Sequence, residues 1–236
     1  MFSPMAIRIA SHAPIQGKET ELYVAVLPRG KRTKPVKSTL VATAAIKGAT
    51  SITVSGLTTG TIEKGQYLMF KGTDGSEFLC QIDATTAPNA TSITVVALPE
   101  AITVGAIAEF PVYIWDRKSA DIDRAYKFSG VTTYNTGGAQ DGIITQIDKK
   151  MPMPGLYYFK NAGYKTIKWC AENLREFWIT RTMNAPTDAY LSGDNLEGPA
   201  VCTSLKETAP DEGFVNADME VAFLGRIVET DPIPVP

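Results

Sequence analysis

The chain has 236 residues, of which 44% are hydrophobic and 20% charged, a composition typical of a folded globular protein. Its net charge of −2 excludes a polycation that binds nucleic acid through charge alone. The charge is unevenly distributed, because residues 1–38 carry a net charge of +5 and residues 207–236 a net charge of −6. Opposite charges at the two ends favour head-to-tail contacts between copies, where unlike charges meet at every repeat.

The N-terminal residues and the cysteines indicate where the protein is made. Residues 1–8 do not combine a basic region with a continuous apolar stretch, so we expect no secretory signal. No apolar run approaches the ~18 residues needed to cross a bilayer. The three cysteines, Cys80, Cys170 and Cys202, are widely spaced and odd in number. We therefore expect buried thiols in a reducing cytoplasm rather than a disulfide framework or a metal knuckle.

The first predicted element is a strand followed by a basic segment. Residues 21–27 read as a strand that ends at Pro28 and Gly30. Between Pro28 and Pro35 the pattern is typical of a semi-extended, solvated linker. The alternative is electrostatic docking to a neighbouring subunit or transient contact with phosphates. The basic residues concerned are Arg29, Lys31, Arg32, Lys34 and Lys37.

Residues 39–111 form a compositionally distinct segment that contains an internal repeat. Ala49–Val54 recurs as Ala90–Val95, 41 positions later. Each copy continues through a leucine, an isoleucine, a glycine and a phenylalanine, namely Leu57, Ile62, Gly65 and Phe70 in the first and Leu98, Ile102, Gly105 and Phe110 in the second. Two copies are too few for a solenoid, and the alternating β-branched residues predict strands. We interpret the segment as a small all-β inserted module, with a hairpin turn at Gly72–Gly75.

The remaining sequence predicts further strands and a single helix. Apolar positions recur at helical spacing from Gly163 to Leu174, and the period changes to two after Arg175. The predicted strands are 111–116, 142–148, 156–159, 176–181, 200–205, 218–224 and 226–229. We therefore predict a mainly β fold, an antiparallel β-sandwich or barrel with one flanking α-helix. Residues 1–38 and 112–236 would form this core, and residues 39–111 the inserted module.

Candidate catalytic groups are sparse. His12 is the sole histidine and lies in a Pro- and Gly-containing loop, and no GxSxG motif surrounds a serine. Asp121 and Asp123 could pair on one strand face, but the basic residues around them favour a solvated surface. The glycines at 137–138 and 142 lack the spacing and the lysine of a phosphate-binding loop, so we interpret this segment as a mobile or tightly turning hairpin loop. We expect no enzymatic activity, no metal and no cofactor.

Several segments resemble the major tail protein, or tail tube protein, of long-tailed bacteriophages. The resemblance rests on Ala162–Lys165 before the helix, the strand Glu176–Thr180, the segment Gly198–Ser204 and the closing strand Asp218–Arg226. It implies a β-sandwich with one flanking helix that assembles into hexameric rings, stacked head-to-tail around a lumen through which DNA passes without sequence-specific binding. It also implies a virion location after assembly in the host cytoplasm, with no membrane contact.

The same resemblance implies partners and contact surfaces. Besides copies of itself, the chain would contact tape measure, sheath and tail terminator proteins. An N-terminal arm and a long hairpin that reach the adjacent ring would correspond by position to residues 1–18 and 28–37, and the module would lie on the tube exterior. The candidate contacts between subunits are Arg29, Lys31, Arg32, Lys34, Lys37, Asp211, Glu212, Asp218 and Glu220. The alternatives are a glycan-binding β-module that uses exposed aromatic residues and, third, a hydrolase that uses Asp121 and Asp123.

Overall fold

The computed structural model describes residues 20–57, 60–115, 117, 120, 122–131, 141–183, 190–192, 195–209, 215–225, 227–230 and 233–234. Their strands in the first half of the chain are β1 (Thr20–Val26), β2 (Ser38–Ala42), β3 (Ser51–Ser55), β4 (Tyr67–Lys71), β5 (Glu77–Gln81), β6 (Ser92–Thr94), β7 (Ile107–Phe110) and β8 (Val112–Tyr113). The second half contains β9 (Asp123–Val131), β10 (Asp141–Met153), helix α1 (Ala162–Glu172), β11 (Phe177–Met183), β12 (Tyr190–Ser192), β13 (Asn195–Thr208), β14 (Asn216–Phe223), β15 (Val228–Thr230) and β16 (Ile233–Pro234).

The larger sheet has eight strands. Seven of them follow the order β8-β1-β11-β13-β14-β10-β9, and the eighth, β15, pairs with β13. A two-stranded sheet pairs β12 with β16. Every strand pair that the structure describes is antiparallel. The prediction of a mainly β, antiparallel fold with one flanking helix is therefore confirmed.

Residues 38–110 supply all strands of the second sheet, in the order β5-β4-β7-β2-β3-β6. The two copies of the sequence repeat pair with each other, because β3 lies antiparallel to β6 with Ile52 opposite Ile93. Their hydrogen bonds are reciprocal: Val54 N donates to the carbonyl of Thr91, and Val95 N donates to that of Thr50. The apolar repeat positions from Leu57 to Phe110 are buried. The repeat therefore encodes a pseudo-two-fold arrangement of two β-units, while the domain boundaries proposed from the sequence stay a prediction.

Helix α1 packs between the two sheets. Its N-cap is Asn161, whose side-chain oxygen accepts a 2.9 Å hydrogen bond from the backbone N–H of Tyr164 and so satisfies one free donor of the first turn. Gly163 permits the close approach of the helix to β8, since a Cβ at this position would lie 2.6 Å from the carbonyl oxygen of Tyr113. The buried side of the helix includes Ile167 and Cys170, as the sequence periodicity predicts.

A buried polar junction connects the larger sheet, the helix and the second sheet. The Gln66 side chain is fully buried, and its Oε1 accepts a 2.9 Å hydrogen bond from Val26 N in β1. Its Nε2 donates to Thr166 Oγ1 of α1 at 3.1 Å and to the carbonyl of Tyr67 at 2.9 Å. Thr166 Oγ1 also accepts from Tyr67 N at 3.0 Å. One glutamine and one threonine thus satisfy buried donors from three parts of the fold.

Two local predictions are wrong. Residues 156–159 contain no strand and only an isolated bridge at Leu156, whose carbonyl accepts a 2.8 Å hydrogen bond from Arg117 Nη2. The side chain of Arg117 thus takes the place of a strand neighbour. Residues 28–37, the positional counterpart of a long hairpin, contain no strand and connect β1 to β2 as a single irregular segment. We call this segment the strap.

Candidate functional site: the strap, the ribbon and the clefts

The strap is fixed to the larger sheet by ion pairs within the chain. The Arg32 guanidinium donates two hydrogen bonds of 2.7 Å to the two carboxylate oxygens of Glu176, just before β11. Lys34 Nζ lies 2.7 Å from Glu197 Oε1 in β13. The Arg32 side chain holds the pKa of Glu176 below its ordinary value, because hydrogen bonding to the guanidinium favours the ionised carboxylate. Two of the five basic candidate contacts are therefore already paired within the subunit.

The other candidate contacts between subunits differ in their surroundings. Arg29 and Lys31 are exposed and form no ion pair with the described residues. Lys37 is exposed but interacts within the chain. On the acidic side, Glu220 is paired with Lys150 at 2.9 Å, and Asp218 accepts a 3.3 Å hydrogen bond from Gly155 N. Residues Asp211 and Glu212 lie outside the described residues.

The structure contains a long hairpin, of which the sequence predicts the second strand but misses the first. Strand β9 is nine residues long and pairs over its whole length with β10, from Asp123 opposite Lys150 to Val131 opposite Asp141. Strand β10 pairs with β14 only from Lys150 to Met153. Residues 123–131 and 141–149 therefore form a two-stranded ribbon, about 30 Å long at ~3.4 Å per residue. The ribbon extends beyond the end of β14 as the outermost pair of the larger sheet.

A cleft of about 700 Å³ lies between the strap and one face of the larger sheet. Its floor includes Trp178, Thr180 and Thr182, alternate residues of β11 that share a face. Glu197 and Asn195 of β13 lie opposite Thr180 and Thr182 in the register. This main cleft is thus formed by sheet side chains below and by the strap above.

Three half-buried aromatic rings connect the main cleft to a smaller one of about 180 Å³. Tyr23 lines the main cleft, whereas Tyr113 and Trp115 line the smaller cleft, which we call the side cleft. The ring centroids of Tyr23 and Tyr113 are 5.5 Å apart and those of Tyr113 and Trp115 are 5.1 Å apart, both edge-to-face. Lys71 Nζ lies 4.5 Å from the centroid of Trp115, and Glu109 lines both clefts.

The catalytic candidates are not brought together in the described part of the chain. His12 and Asp121 lie outside it, and Asp123 is an exposed residue at the start of β9. Among the described residues, no group of three His, Cys, Asp or Glu side chains could hold a metal ion. Cys80 and Cys170 are buried, and burial raises the pKa of each thiol to about 12. Both thiols are therefore protonated and unreactive at neutral pH.

Within the described residues, no helix combines the length and apolar character required for a membrane span. No family model matches the sequence, and none of the curated proteins matches it. Among solved structures the chain is similar to a subunit described as the "Tail of empty GTA particle computed with helical refinement, C6 symmetry", with a TM-score of 0.37 and 15% sequence identity. That alignment covers 50% of this chain and 85% of the other.

Proposed function

We propose that the chain is a structural virion protein that assembles with copies of itself into stacked hexameric rings, forming the tail tube of a phage. In this role it performs no catalysis, and its partners are further copies and the proteins at the ends and around the tube. The sequence segments that resemble tail tube proteins and the mainly β fold with one flanking helix are consistent with this proposal. The ribbon formed by β9 and β10 is the observation that carries it.

The ribbon supports assembly for a physical reason. An isolated two-stranded hairpin is at best marginally stable in water, and three or more strands or a packed neighbour are needed to stabilise it. Among the described residues, strand β9 has a strand neighbour on one side only, so its other edge offers backbone groups along nine residues that no described strand pairs. A second copy of the chain that packs against this edge would satisfy those groups and bury the ribbon. A repeated contact of this kind between equivalent subunits generates a ring or a helical stack.

A deletion tests the ribbon directly. Ala125 and Asp148 are opposite each other in the register, so an Asn-Gly turn can replace residues 126–147 and close the hairpin at its base. This variant keeps the ion pair between Arg124 and Glu229 and the pairing of β10 with β14. We expect it to remain folded by circular dichroism but to form no rings or tubes in electron micrographs.

The control for this deletion is Ile46→Ser, because Ile46 is 77% exposed in the connection between β2 and β3 and is not part of the ribbon. We expect this variant to assemble as the unchanged chain does. Tubes formed by the deletion variant would refute the role of the ribbon. An unchanged chain that stays monomeric at high concentration in sedimentation experiments would overturn the proposed function.

Charge supplies a second test of assembly. Salt screens exposed charges over about 10 Å at 0.1 M and about 3 Å at 1 M, so raised salt should weaken contacts between the basic and acidic ends of neighbouring copies. The double variant Arg29→Glu/Lys31→Glu changes exposed charges without breaking an ion pair among the described residues. We expect it to assemble less readily and to lose part of the salt dependence. Salt dependence equal to that of the unchanged chain would count against the electrostatic contact.

A further inference from the structure

The main cleft has the size and shape of a small-molecule site. Its volume of about 700 Å³ lies within the usual range for ligand pockets, roughly 300–1,000 Å³. The floor is a sheet face in which the backbone N–H and C=O groups of β11 are already paired with β1 and β13. A ligand in the cleft would therefore be recognised by side chains and not by strand addition, which needs a free sheet edge.

The side chains around the cleft are suited to hydroxyl groups. The floor provides the hydroxyls of Thr180 and Thr182, and Glu197 and Glu109 provide carboxylate acceptors. Each sugar hydroxyl both donates and accepts a hydrogen bond, so it can pair with either kind of group. The opposing lysines, Lys34 and Lys37, match the two carboxylates in number, which favours a neutral ligand over an anion or a cation.

The aromatic row adds the apolar part of such a site. Tyr23, Tyr113 and Trp115 are each half-buried and lie in sequence from the main cleft to the side cleft. Partly exposed aromatic rings pack against the C–H faces of pyranose rings, while the hydroxyls at the ring edge bind polar groups. A row of three rings fits a ligand that extends over more than one sugar unit.

Two buried polar atoms in the cleft wall have no hydrogen-bond partner. Trp178 is 7% exposed, and neither its Nε1–H nor Asn195 Oδ1 is paired in the described structure. Buried polar atoms are normally paired, so a donor and an acceptor left in one cleft point to a missing polar partner. Trp178 and Thr182, the neighbour of Asn195, are four residues apart on β11, about 13 Å along the strand. The two residues therefore lie at opposite ends of the β11 floor, an arrangement that favours an extended ligand.

We propose that the main cleft and the aromatic row bind a neutral oligosaccharide of two or more units. Both unpaired atoms are covered by protein, so a ligand reaches them only after a local rearrangement of the cleft wall. The site is separate from the ribbon, so it can operate in a single subunit or in an assembled tube.

The test uses the full chain with triacetylchitotriose and maltotriose as neutral probes. Sialyllactose serves as the charged probe and acetyl-trialanine amide as the peptide probe. Binding is measured by saturation-transfer NMR and by tryptophan fluorescence. We expect saturable binding of a neutral probe with a Kd of about 1 mM or tighter. Trp115→Ala and Glu109→Gln should each weaken it about tenfold, a difference in binding free energy that titration resolves readily. Phe159→Ala, which removes a 58% exposed aromatic ring outside both clefts, should leave it unchanged.

Four outcomes would overturn the inference. The first is that neither neutral probe binds the folded chain, and the second is that only the charged or the peptide probe binds. The third is that binding is the same in the unchanged chain and in both cleft variants, once circular dichroism shows all of them to be folded. The fourth is that the cleft variants abolish assembly while sugar binding is unaffected, which would make the cleft a contact between subunits. Loss of assembly through the ribbon deletion leaves this inference intact, because binding is measured on the monomer as well.

Discussion

The buried junction around Thr166 leads to a sharp prediction for stability. The change Thr166→Val keeps the shape of the side chain and removes its oxygen. Tyr67 N–H and one N–H of the Gln66 amide then lose their acceptor, at positions where both now bond at 3.0 and 3.1 Å. A buried donor left without a partner costs about 1–3 kcal/mol. Because the Gln66 amide keeps its other bond, to the carbonyl of Tyr67, we expect a loss of about 2–3 kcal/mol in unfolding free energy.

The assay is urea unfolding of the monomer, followed by tryptophan fluorescence. The midpoint should fall while the slope with denaturant stays unchanged. For a chain of this size the melting temperature should fall by about 4–12 °C, at roughly 2–4 °C per kcal/mol. Protein concentration must be kept below the onset of assembly, because binding between folded copies raises the apparent stability.

The control Thr166→Ser keeps the oxygen and removes a buried methyl group. It should cost only about 1 kcal/mol, the usual effect of one methyl in a core. A combined variant with Gln66→Met, which takes away the acceptor of Val26 N–H, should lose less than the sum of the two single changes, because the two side chains share a hydrogen bond. A loss for Thr166→Val that is smaller than the loss for Thr166→Ser would refute the reasoning, since packing and not hydrogen bonding would then dominate.

Two further predictions concern a glycine and a carboxylate. Gly65→Ala should destabilise the chain more than Gly105→Ala. Both glycines have a positive φ, but only a Cβ at Gly65 would overlap the Trp169 ring. Equal losses in unfolding free energy would contradict this prediction. Hydrogen bonding to the Lys168 ammonium holds the pKa of Glu207 below its ordinary value, so the folded chain binds fewer protons there than the unfolded chain. That stabilisation is present above about pH 4.5 and lost as the pH falls through the lowered pKa, and Glu207→Gln should flatten this part of the pH profile of the urea midpoint.

The sequence predicts the strands whose apolar residues alternate and the helix whose apolar residues recur every three or four positions. It misses β9, because residues 123–131 carry charges and a glycine and do not alternate clearly. Their strand conformation depends on pairing with β10, which is a tertiary effect. The opposite error occurs at residues 156–159, where an alternating aromatic pattern predicts a strand. There the Arg117 side chain donates a hydrogen bond to the Leu156 carbonyl, and the chain leads on to the N-cap of the helix.

The clefts could not be predicted from the sequence for a related reason. The residues that line the main cleft range from Tyr23 to Thr230 along the chain, so no local motif records them. The repeat is the contrasting case, because its two copies carry the same buried positions. Its spacing is informative even without a structure, since matched positions of two similar β-units are expected to pack together. The buried Gln66 gives no signal, as a lone glutamine beside a turn is usually exposed.

Ion pairs within the subunit reduce the charge that the two ends of the chain can offer to another copy. Arg32 and Lys34 are neutralised by carboxylates of the same subunit, and Glu220 is neutralised by a lysine of the same subunit. These groups are therefore less available to a second copy than the net charges of the terminal segments suggest. Among the described strap residues, Arg29 and Lys31 keep exposed charges without an ion pair to other described residues. If the proposed assembly is correct, backbone pairing and packing along the ribbon must then supply most of its free energy, and charge a smaller, salt-sensitive part.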